Sequence, residues 1–191
     1  QTQECATVPT QSQIDYLTQT RSARENWNGP EMIISLPVQH HIVRETNGTG
    51  GLDPNDIPII MGIMNTYYAN ANISFFDCGT INYIDNSSYY NFDQSQESAV
   101  CGANDVANVI NIYYFNSVGN GSSSYCGYAY FPGGPDRIIM NNACALNGST
   151  LTHELGHYLS LYHTHQGSTG SNPELVNGSN CTTAGDQLCD T

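Results

Sequence analysis

The spacing of apolar and polar residues predicts a chain of alternating strands and helices. Residues 32–43, rich in Ile, Leu and Val, predict a strand, and Asp53 followed by Pro54 marks the start of a helix that runs to about Ala69. Apolar runs predict further strands at 73–77, 80–84, 109–115, 125–131 and 137–141, and helical spacing predicts a second helix at about 149–161. Polar runs rich in Asn, Ser and Gly predict loops at 86–102, 119–124 and 165–191.

The order strand, helix, several strands, helix is typical of an α+β domain with an α/β-like layered arrangement, in which one sheet packs against at least two helices. The 191 residues fit one domain with a short appendage. Residues 1–30 are polar, with one apolar patch around Leu17, and they end in the turn-forming sequence Asn28-Gly29-Pro30. We therefore predict a leader at 1–30 and one domain at 31–191.

The net charge of the chain limits the classes of partner that we expect it to bind. The chain carries 17 acidic residues against four Arg and no Lys, which gives a net charge of −13 at pH 7. Nucleic acid and anionic membranes are therefore excluded as expected partners, since both require basic side chains. No apolar run approaches the roughly 20 residues of a membrane-spanning helix. The surplus of carboxylates suits Ca²⁺ or cationic substrates, and equally it suits plain solubility.

Cysteine usage favours disulfides and export. The seven cysteines are widely spaced without a Cys-x-x-Cys pair, which argues against a zinc ribbon. No signal peptide is visible at Gln1, so we interpret the chain as trimmed and extracellular. The sequence leaves the pairing of the cysteines open. The lengths of the loops that would be closed favour two pairs and, less strongly, a third. The favoured pairs are Cys78–Cys101 and Cys126–Cys144, and the third is Cys181–Cys189.

Candidate chemistry concentrates in one helix, in the sequence His-Glu-Leu-Gly-His at 153–157. His153 and His157 are one turn apart, so both imidazoles project from one helical face and can bind one Zn²⁺. Glu154 lies beside them, where it can hold a metal-bound water and accept its proton. His163 can become a third ligand only if the helix ends and the chain turns back near Ser160. The alternative is a pair of ordinary histidines on an amphipathic helix.

The other histidines have plainer interpretations. His40 and His41 lie in the first predicted strand, where neighbouring side chains face opposite sides, and we predict that both are structural. His165 follows the third candidate ligand by two residues. It is predicted to lie beside the site or to face solvent rather than to be a fourth ligand.

The stretch 153–164 resembles the zinc motif of the metzincin metallopeptidases. Residues 36–43, 127–133 and 185–191 resemble the pappalysin-type (cytophagalysin/ulilysin-like) branch, so the resemblance spans most of 32–191. It implies a twisted mixed sheet with a backing helix and an active-site helix. It also implies hydrolysis of protein or peptide substrates outside the cell by a zinc-bound water. The implied zinc ligands are His153, His157 and His163, and the implied general base is Glu154.

Two features depart from that family's pattern. Ser160 stands where the family usually has a Gly that permits a left-handed turn, at a cost of about 1 kcal/mol or more. Every Met precedes His153, so the family's Met-containing turn and most of its C-terminal subdomain are missing from this stretch. Residues 31–191 would then be the upper subdomain and the start of the lower one. The remainder would be cleaved, truncated, or supplied by another chain, such as a C-terminal fragment of the same precursor.

The resemblance also implies a calcium site. Asp186 and Thr191 would bind Ca²⁺ together with a backbone carbonyl, because oxygen ligands on a flexible loop suit this ion. The alternative is an acidic loop without an ion.

Cys5 in the leader resembles the pro-segment cysteine that keeps several metzincin zymogens silent by taking the open zinc position as a thiolate. Arg21 and Arg24 would then offer cleavable positions between the leader and the core. The alternatives are a disulfide from Cys5 to Cys181 or Cys189, or a free surface thiol.

Two functions of different classes therefore compete. The first is a secreted zinc endopeptidase that is latent through Cys5. The second is a non-catalytic, metal-stabilised extracellular binding module derived from a metallopeptidase. The intact Glu154 favours the enzyme, whereas the missing Met-containing turn favours the module or a fragment.

Overall fold

The computed structural model describes residues 2–25, 32–167 and 173–189, and within these residues the fold is built on one nine-stranded sheet. The strands are β1 (Thr2–Cys5), β2 (Ile34–Arg44), β3 (Ile73–Asp77), β4 (Asn82–Asp85), β5 (Asn91–Asp93), β6 (Ile110–Phe115), β7 (Ser117–Gly119), β8 (Ser124–Ala129) and β9 (Arg137–Asn141). The α-helices are α1 (Gln11–Glu25), α2 (Ile57–Tyr68), α3 (Ser87–Tyr90), α4 (Glu97–Val100), α5 (Asn142–Ala145) and α6 (Thr150–Tyr158). No helix in this described part is long and apolar enough to cross a membrane.

Most neighbouring strands run parallel. From one edge the order is β3–β2–β6–β9–β8–β7–β5, with β4 also beside β2 and β1 also beside β8. Strand β8 is antiparallel to β9 and β7, whereas β1 runs parallel to β8 with Cys5 opposite Gly127. The predicted α+β class with a mixed, layered sheet is therefore confirmed.

Alternate side chains of the central strands fill a core on each face of the sheet. On one face Tyr114 of β6 belongs to the same cluster as Met64 of α2 and Leu155 of α6. On the other face Tyr113 belongs to a cluster with Val100 of α4. Both faces of β6 are thus covered, which explains why all six of its residues are buried. This packing fixes α6 against the sheet, and α6 carries two of the candidate metal ligands, His153 and His157.

The neighbouring histidines of β2 face opposite sides, as predicted, and both are structural. His40 lies 3.0 Å from the Tyr114 hydroxyl through Nδ1 and 3.1 Å from Asp77 through Nε2. His41 stacks on Tyr113, at 4.1 Å between ring centroids, and lies 3.0 Å from Asn111 Oδ1. Burial lowers the pKa of both imidazoles, which keeps them neutral inside the fold.

The described part of the polar N-terminal segment, residues 2–25, packs against the rest of the fold. It forms β1 and α1, and α1 buries Leu17 and Gln13. The Gln13 side-chain amide donates to the Phe131 carbonyl at 3.2 Å. This contact is polar, so the apolar spacing of the sequence did not predict α1. The candidate cleavage positions Arg21 and Arg24 lie within this helix.

The prediction of a loop at 86–102 is wrong. This segment holds α3, β5 and α4, each of them only three or four residues long. Side-chain caps start two helical turns of this segment: Asn86 Oδ1 accepts from the Ser88 amide at the start of α3, and Asp93 and Gln96 form a reciprocal capping box around the 3₁₀ turn 94–96 that precedes α4. Elements this short carry no apolar periodicity, so their signal in the sequence is the capping chemistry.

The disulfides agree with two of the three considered pairs. Cys126–Cys144 is confirmed, and the less favoured Cys181–Cys189 is also formed. The predicted pair Cys78–Cys101 is wrong. Cys101 is fully buried in the cluster beneath the central strands, whereas Cys78 follows the edge strand β3 and donates its amide to the Val38 carbonyl. Both cysteines are free thiols.

Candidate metal centre

Helix α6 starts from a side-chain cap and a buried apolar face. The side-chain oxygen of Asn147 accepts from the Ser149 and Thr150 amides, which would otherwise be unpaired at the helix start. Leu151 and Leu155 bury into the core at helical spacing. The 9-residue helix, with its bounds at Thr150 and Tyr158, confirms the predicted second helix, although it ends three residues earlier than expected.

The chain reverses after α6 through a left-handed residue at Ser160, as the sequence predicted. Ser160 has φ of 89°. Its amide donates to the His157 carbonyl at 2.9 Å, and the Leu161 amide donates to the Gly156 carbonyl at 2.8 Å. These two bonds form a Schellman motif, which normally places Gly at the left-handed position. The turn brings His163 back beside the helix.

The turn also orients a ligand histidine. The Leu161 carbonyl accepts from Nδ1 of His157 at 2.7 Å, so the other ring nitrogen, Nε2, carries the lone pair in the neutral imidazole. A hydrogen bond of this kind fixes the tautomer of metal-binding histidines. Burial lowers the pKa of His157 to about 4, and burial also lowers that of His163, which keeps both rings neutral.

Three histidine nitrogens converge on one point. The Nε2 atoms of His153, His157 and His163 lie 3.0, 3.1 and 3.2 Å apart. The Sγ atom of Cys5 lies 3.5 Å from Nε2 of His157, and the four ligand atoms lie within 4.8 Å of one another. The structure therefore brings together all three predicted zinc ligands and Cys5.

This donor set fits a zinc ion. Nitrogens bound to tetrahedral zinc at about 2.0–2.1 Å lie about 3.3 Å apart, and a thiolate at about 2.3 Å lies about 3.5 Å from each nitrogen. The three distances between the histidines and the distance from Cys5 Sγ to His157 Nε2 match these spacings to within a few tenths of an ångström. Lone pairs of neutral imidazoles repel one another at such separations, and a shared cation removes that repulsion. His165 stacks on His163 at 4.9 Å between ring centroids and is not a member of this cluster.

Glu154 lies beside the histidines and is fully buried. Its side chain lies against Gly127 of β8, where a Cβ would stand 3.5 Å from Cγ of Glu154, an ordinary contact distance. The same Cβ would lie 2.8 Å from the Ile139 carbonyl oxygen, so it is the packing of β8 against β9 that requires Gly127. Burial raises the pKa of Glu154 to about 7, although the Thr7 hydroxyl bonds to the carboxylate and lowers it in part. A carboxyl group with a pKa near neutrality is suited to accepting and returning a proton.

The Cys5 thiol reaches the cluster because β1 lies along β8. The Ala6 amide donates to the Gly127 carbonyl at 3.0 Å, which extends the pairing just beyond β1. Burial and the nearby Glu154 carboxylate raise the pKa of Cys5 to about 12. A bound Zn²⁺ reverses this preference, because a coordinated thiol is deprotonated. Neither predicted alternative disulfide of Cys5 forms, since Cys181 and Cys189 pair with each other.

A buried polar network supports β8 from the other face of the sheet. Glu97 accepts hydrogen bonds from the hydroxyls of Tyr128 and Tyr130 at 2.6 and 2.7 Å and from Arg137 at 2.8 Å. Arg137 also pairs with Asp105. Apolar spacing does not predict this network, because its members are scattered over four separate segments. It holds β8, which packs against α6 on the opposite face, in a fixed position.

The predicted calcium site is described only in part. Asp186 is buried, and its Oδ1 accepts from the Leu188 amide at 3.0 Å. Thr191 lies outside the described residues. Calcium binding at Asp186 and Thr191 therefore stays a prediction.

Comparison with known proteins finds distant relatives that are named extracellular metalloproteases. The chain is 25% identical over 168 residues to one from Verticillium alfalfae, 27% over 177 residues to one from Colletotrichum graminicola, and 28% over 182 residues to one from Podospora anserina. The matches cover 77%, 83% and 83% of this chain and 58%, 57% and 55% of the relatives. The chain thus spans a little over half of each relative.

Other comparisons add little. No family model matches the chain. A solved structure described as "Structure of a chaperone-substrate complex" aligns with a TM-score of 0.49 and 18% identity, over 82% of this chain and 31% of the other. The named relatives support a metalloprotease, and the histidine cluster shows where its metal would be held.

Replacing Ser160 by Gly is expected to stabilise the protein by about 1 kcal/mol. Relief of the left-handed strain, about 1–2 kcal/mol, exceeds the backbone entropy cost of glycine, about 0.5–1 kcal/mol. Denaturant unfolding of Ser160→Gly measures this change, and Ser160→Ala is the control that removes the hydroxyl but keeps the Cβ. A Gly variant no more stable than the Ala variant would show that Ser160 is not strained.

Proposed function

We propose that this chain is part of a secreted zinc endopeptidase. The observation that carries the proposal is the convergence of three histidine Nε2 atoms, 3.0–3.2 Å apart, beside the buried carboxylate of Glu154. Relatives named extracellular metalloproteases, two disulfides and the match to the pappalysin-type motif support it.

Each residue of the centre has a distinct role. His153, His157 and His163 would hold the ion, and the Leu161 carbonyl would keep His157 in the tautomer that leaves its Nε2 free to bind. When bound, zinc would supply Lewis acidity for attack of water on a peptide carbonyl. Glu154 would accept the proton of the attacking water and return it to the leaving amine. These two proton transfers complete hydrolysis without a covalent link to the protein.

Strand β8 is the proposed docking strand for the substrate. On the side away from β9, its main-chain groups at Gly127 and Ala129 already bind the leader through the Ala6 amide and the Thr7 side chain. An extended peptide can add to such an edge by main-chain hydrogen bonding. The buried bonds from Tyr128 and Tyr130 to Glu97 would keep this edge rigid.

Residues 1–30 are proposed to be a pro-segment that keeps residues 31–191 latent. Cys5 would occupy the fourth ligand position, and β1 would cover the strand that a substrate needs. Removal of the leader would expose both. We also propose that Asp186 and Thr191 bind Ca²⁺. The remaining part of the precursor is proposed as a partner of this chain.

The test is peptide hydrolysis by the chain together with the rest of its precursor. We expect the untrimmed wild type to be nearly inactive, and Cys5→Ala or proteolytic trimming past Arg24 to raise activity. A chelator should abolish that activity, and added zinc should restore it. If the trimmed, zinc-loaded protein releases no peptides, the proposed function is wrong. If Cys5→Ala and the untrimmed wild type are equally latent, and trimming changes nothing, then Cys5 is not the silencing ligand.

A further inference from the structure

The Thr7 hydroxyl lies at the centre of a buried set of hydrogen bonds. Its Oγ1 lies 2.7 Å from Oε2 of Glu154, 3.3 Å from the Ala129 carbonyl oxygen and 2.8 Å from the Ala129 amide nitrogen. The Thr7 side chain is 4% exposed and that of Glu154 is fully buried. Such a network is typical of a specific contact rather than of a segment that rests loosely on a surface.

The donor and acceptor roles follow from the chemistry of a hydroxyl group. Thr7 has one proton to donate, and the carboxylate oxygen at 2.7 Å is the nearer and more negative acceptor. Its oxygen accepts from the Ala129 amide, which is a donor on the strand that a substrate would pair with. One hydroxyl therefore binds a carboxylate oxygen of the proposed general base and a hydrogen-bonding group of the proposed docking strand.

We propose that Thr7 is a second autoinhibitory lock, which acts on Glu154 while Cys5 acts on the metal. This inference rests on the proposed function, because it deepens the regulation of the same site. A general base that accepts a hydrogen bond from a buried hydroxyl has lost an oxygen with which to take a proton from water. With this second contact in place, loss of the Cys5 thiol alone would release only part of the inhibition.

The two contacts are adjacent, and Cys5 itself also interacts with the Glu154 carboxylate, so each contact is tested by its own variant. The Thr7 amide lies 3.3 Å from Cys5 Sγ, so both residues belong to one short turn of the leader. Thr7→Val keeps the size and branching of the side chain and removes only the hydroxyl. Thr7→Ser keeps the hydroxyl. Thr18→Val is the matched control, because Thr18 is exposed in the same leader and donates only to the Ile14 carbonyl.

The first test follows leader docking and requires no catalysis. In the full, zinc-loaded chain, we expect Thr7→Val to raise the rate of Cys5 alkylation by roughly tenfold or more, because a buried bond to a charged group is lost. Amide exchange at Ala129 should also accelerate. Thr7→Ser and Thr18→Val should match the wild type. Equal alkylation and exchange in Thr7→Val and Thr18→Val would overturn the proposal.

The second test uses peptide hydrolysis before trimming. In the Cys5→Ala background, adding Thr7→Val should raise activity a further tenfold or so, whereas adding Thr7→Ser should not. No further rise with Thr7→Val would also contradict the lock. Absence of hydrolysis in every variant, even after trimming, would refute the proposed function instead, and the alkylation and exchange rates would still decide whether Thr7 anchors the leader.

Discussion

Glu154→Gln is expected to lower peptide hydrolysis by the trimmed protein by about 10²–10⁴-fold while zinc stays bound. Gln has nearly the shape of Glu, but its neutral amide cannot accept a proton from water. The three histidine ligands are unchanged, so the zinc content should stay that of the wild type. Before trimming, the side-chain carbonyl of Gln can still accept from the Thr7 hydroxyl, so the leader should dock as in the wild type. Rates of peptide cleavage and metal analysis of the same sample measure both effects.

The matched control is Glu45→Gln, in the turn that follows β2 and outside the candidate centre. Like Glu154→Gln, it removes one negative charge. The rate of peptide hydrolysis by Glu45→Gln should stay within a few-fold of the wild-type rate. Hydrolysis by Glu154→Gln at the control's rate would rule out Glu154 as the base. Absence of hydrolysis in the trimmed wild type as well, with zinc retained, would favour the metal-stabilised binding module.

The candidate site could be predicted from the sequence because its main parts are local. His153, Glu154 and His157 lie within five residues, so helical geometry alone places them together. The position of His163 followed from one further argument, that a straight helix could not present it. The turn at Ser160 has the left-handed φ that this argument required, even though Gly is the residue that usually adopts it.

The parts that could not be predicted are those that join distant segments. Thr7 bonds to Glu154 across 147 residues, and no motif around Thr7 marks it. The network of Glu97 with Tyr128, Tyr130 and Arg137 depends on strand order, which apolar spacing does not reveal. Loop length was also a poor guide to disulfides, because burial of Cys101 beneath the sheet removes it from the reach of an edge thiol.

The position of Cys5 combines a local signal with a non-local one. Its resemblance to a silencing cysteine came from its isolation in a polar leader. Its placement 3.5 Å from His157 depends on the parallel pairing of β1 with β8, which no pattern in residues 2–5 indicates. The capping residues of α3 and of the 3₁₀ turn 94–96 were visible in the sequence, but without apolar periodicity beside them they predicted only a loop.

His157→Ala is expected to remove nearly all bound zinc. Its Nε2 lies 3.0 Å from that of His153 and 3.1 Å from that of His163, so its loss leaves two nitrogens of the proposed three. It is also the ligand most firmly held, because it is buried and its Nδ1 bonds to the Leu161 carbonyl. Loss of a hydrogen bond that orients a metal ligand costs about 10–100-fold in affinity, and loss of the ligand itself should cost more.

Metal analysis after dialysis tests this expectation, with His165→Ala as the control. His165 stacks on His163 but does not belong to the cluster, so its variant should keep about one zinc per chain. Zinc that binds only the folded protein also raises its apparent stability, by about 2.7 kcal/mol at a hundredfold excess over the dissociation constant. The rise in melting temperature on adding zinc should therefore disappear in His157→Ala and persist in His165→Ala. Equal zinc content in His157→Ala and the wild type would show that the ion, if it binds, is held elsewhere.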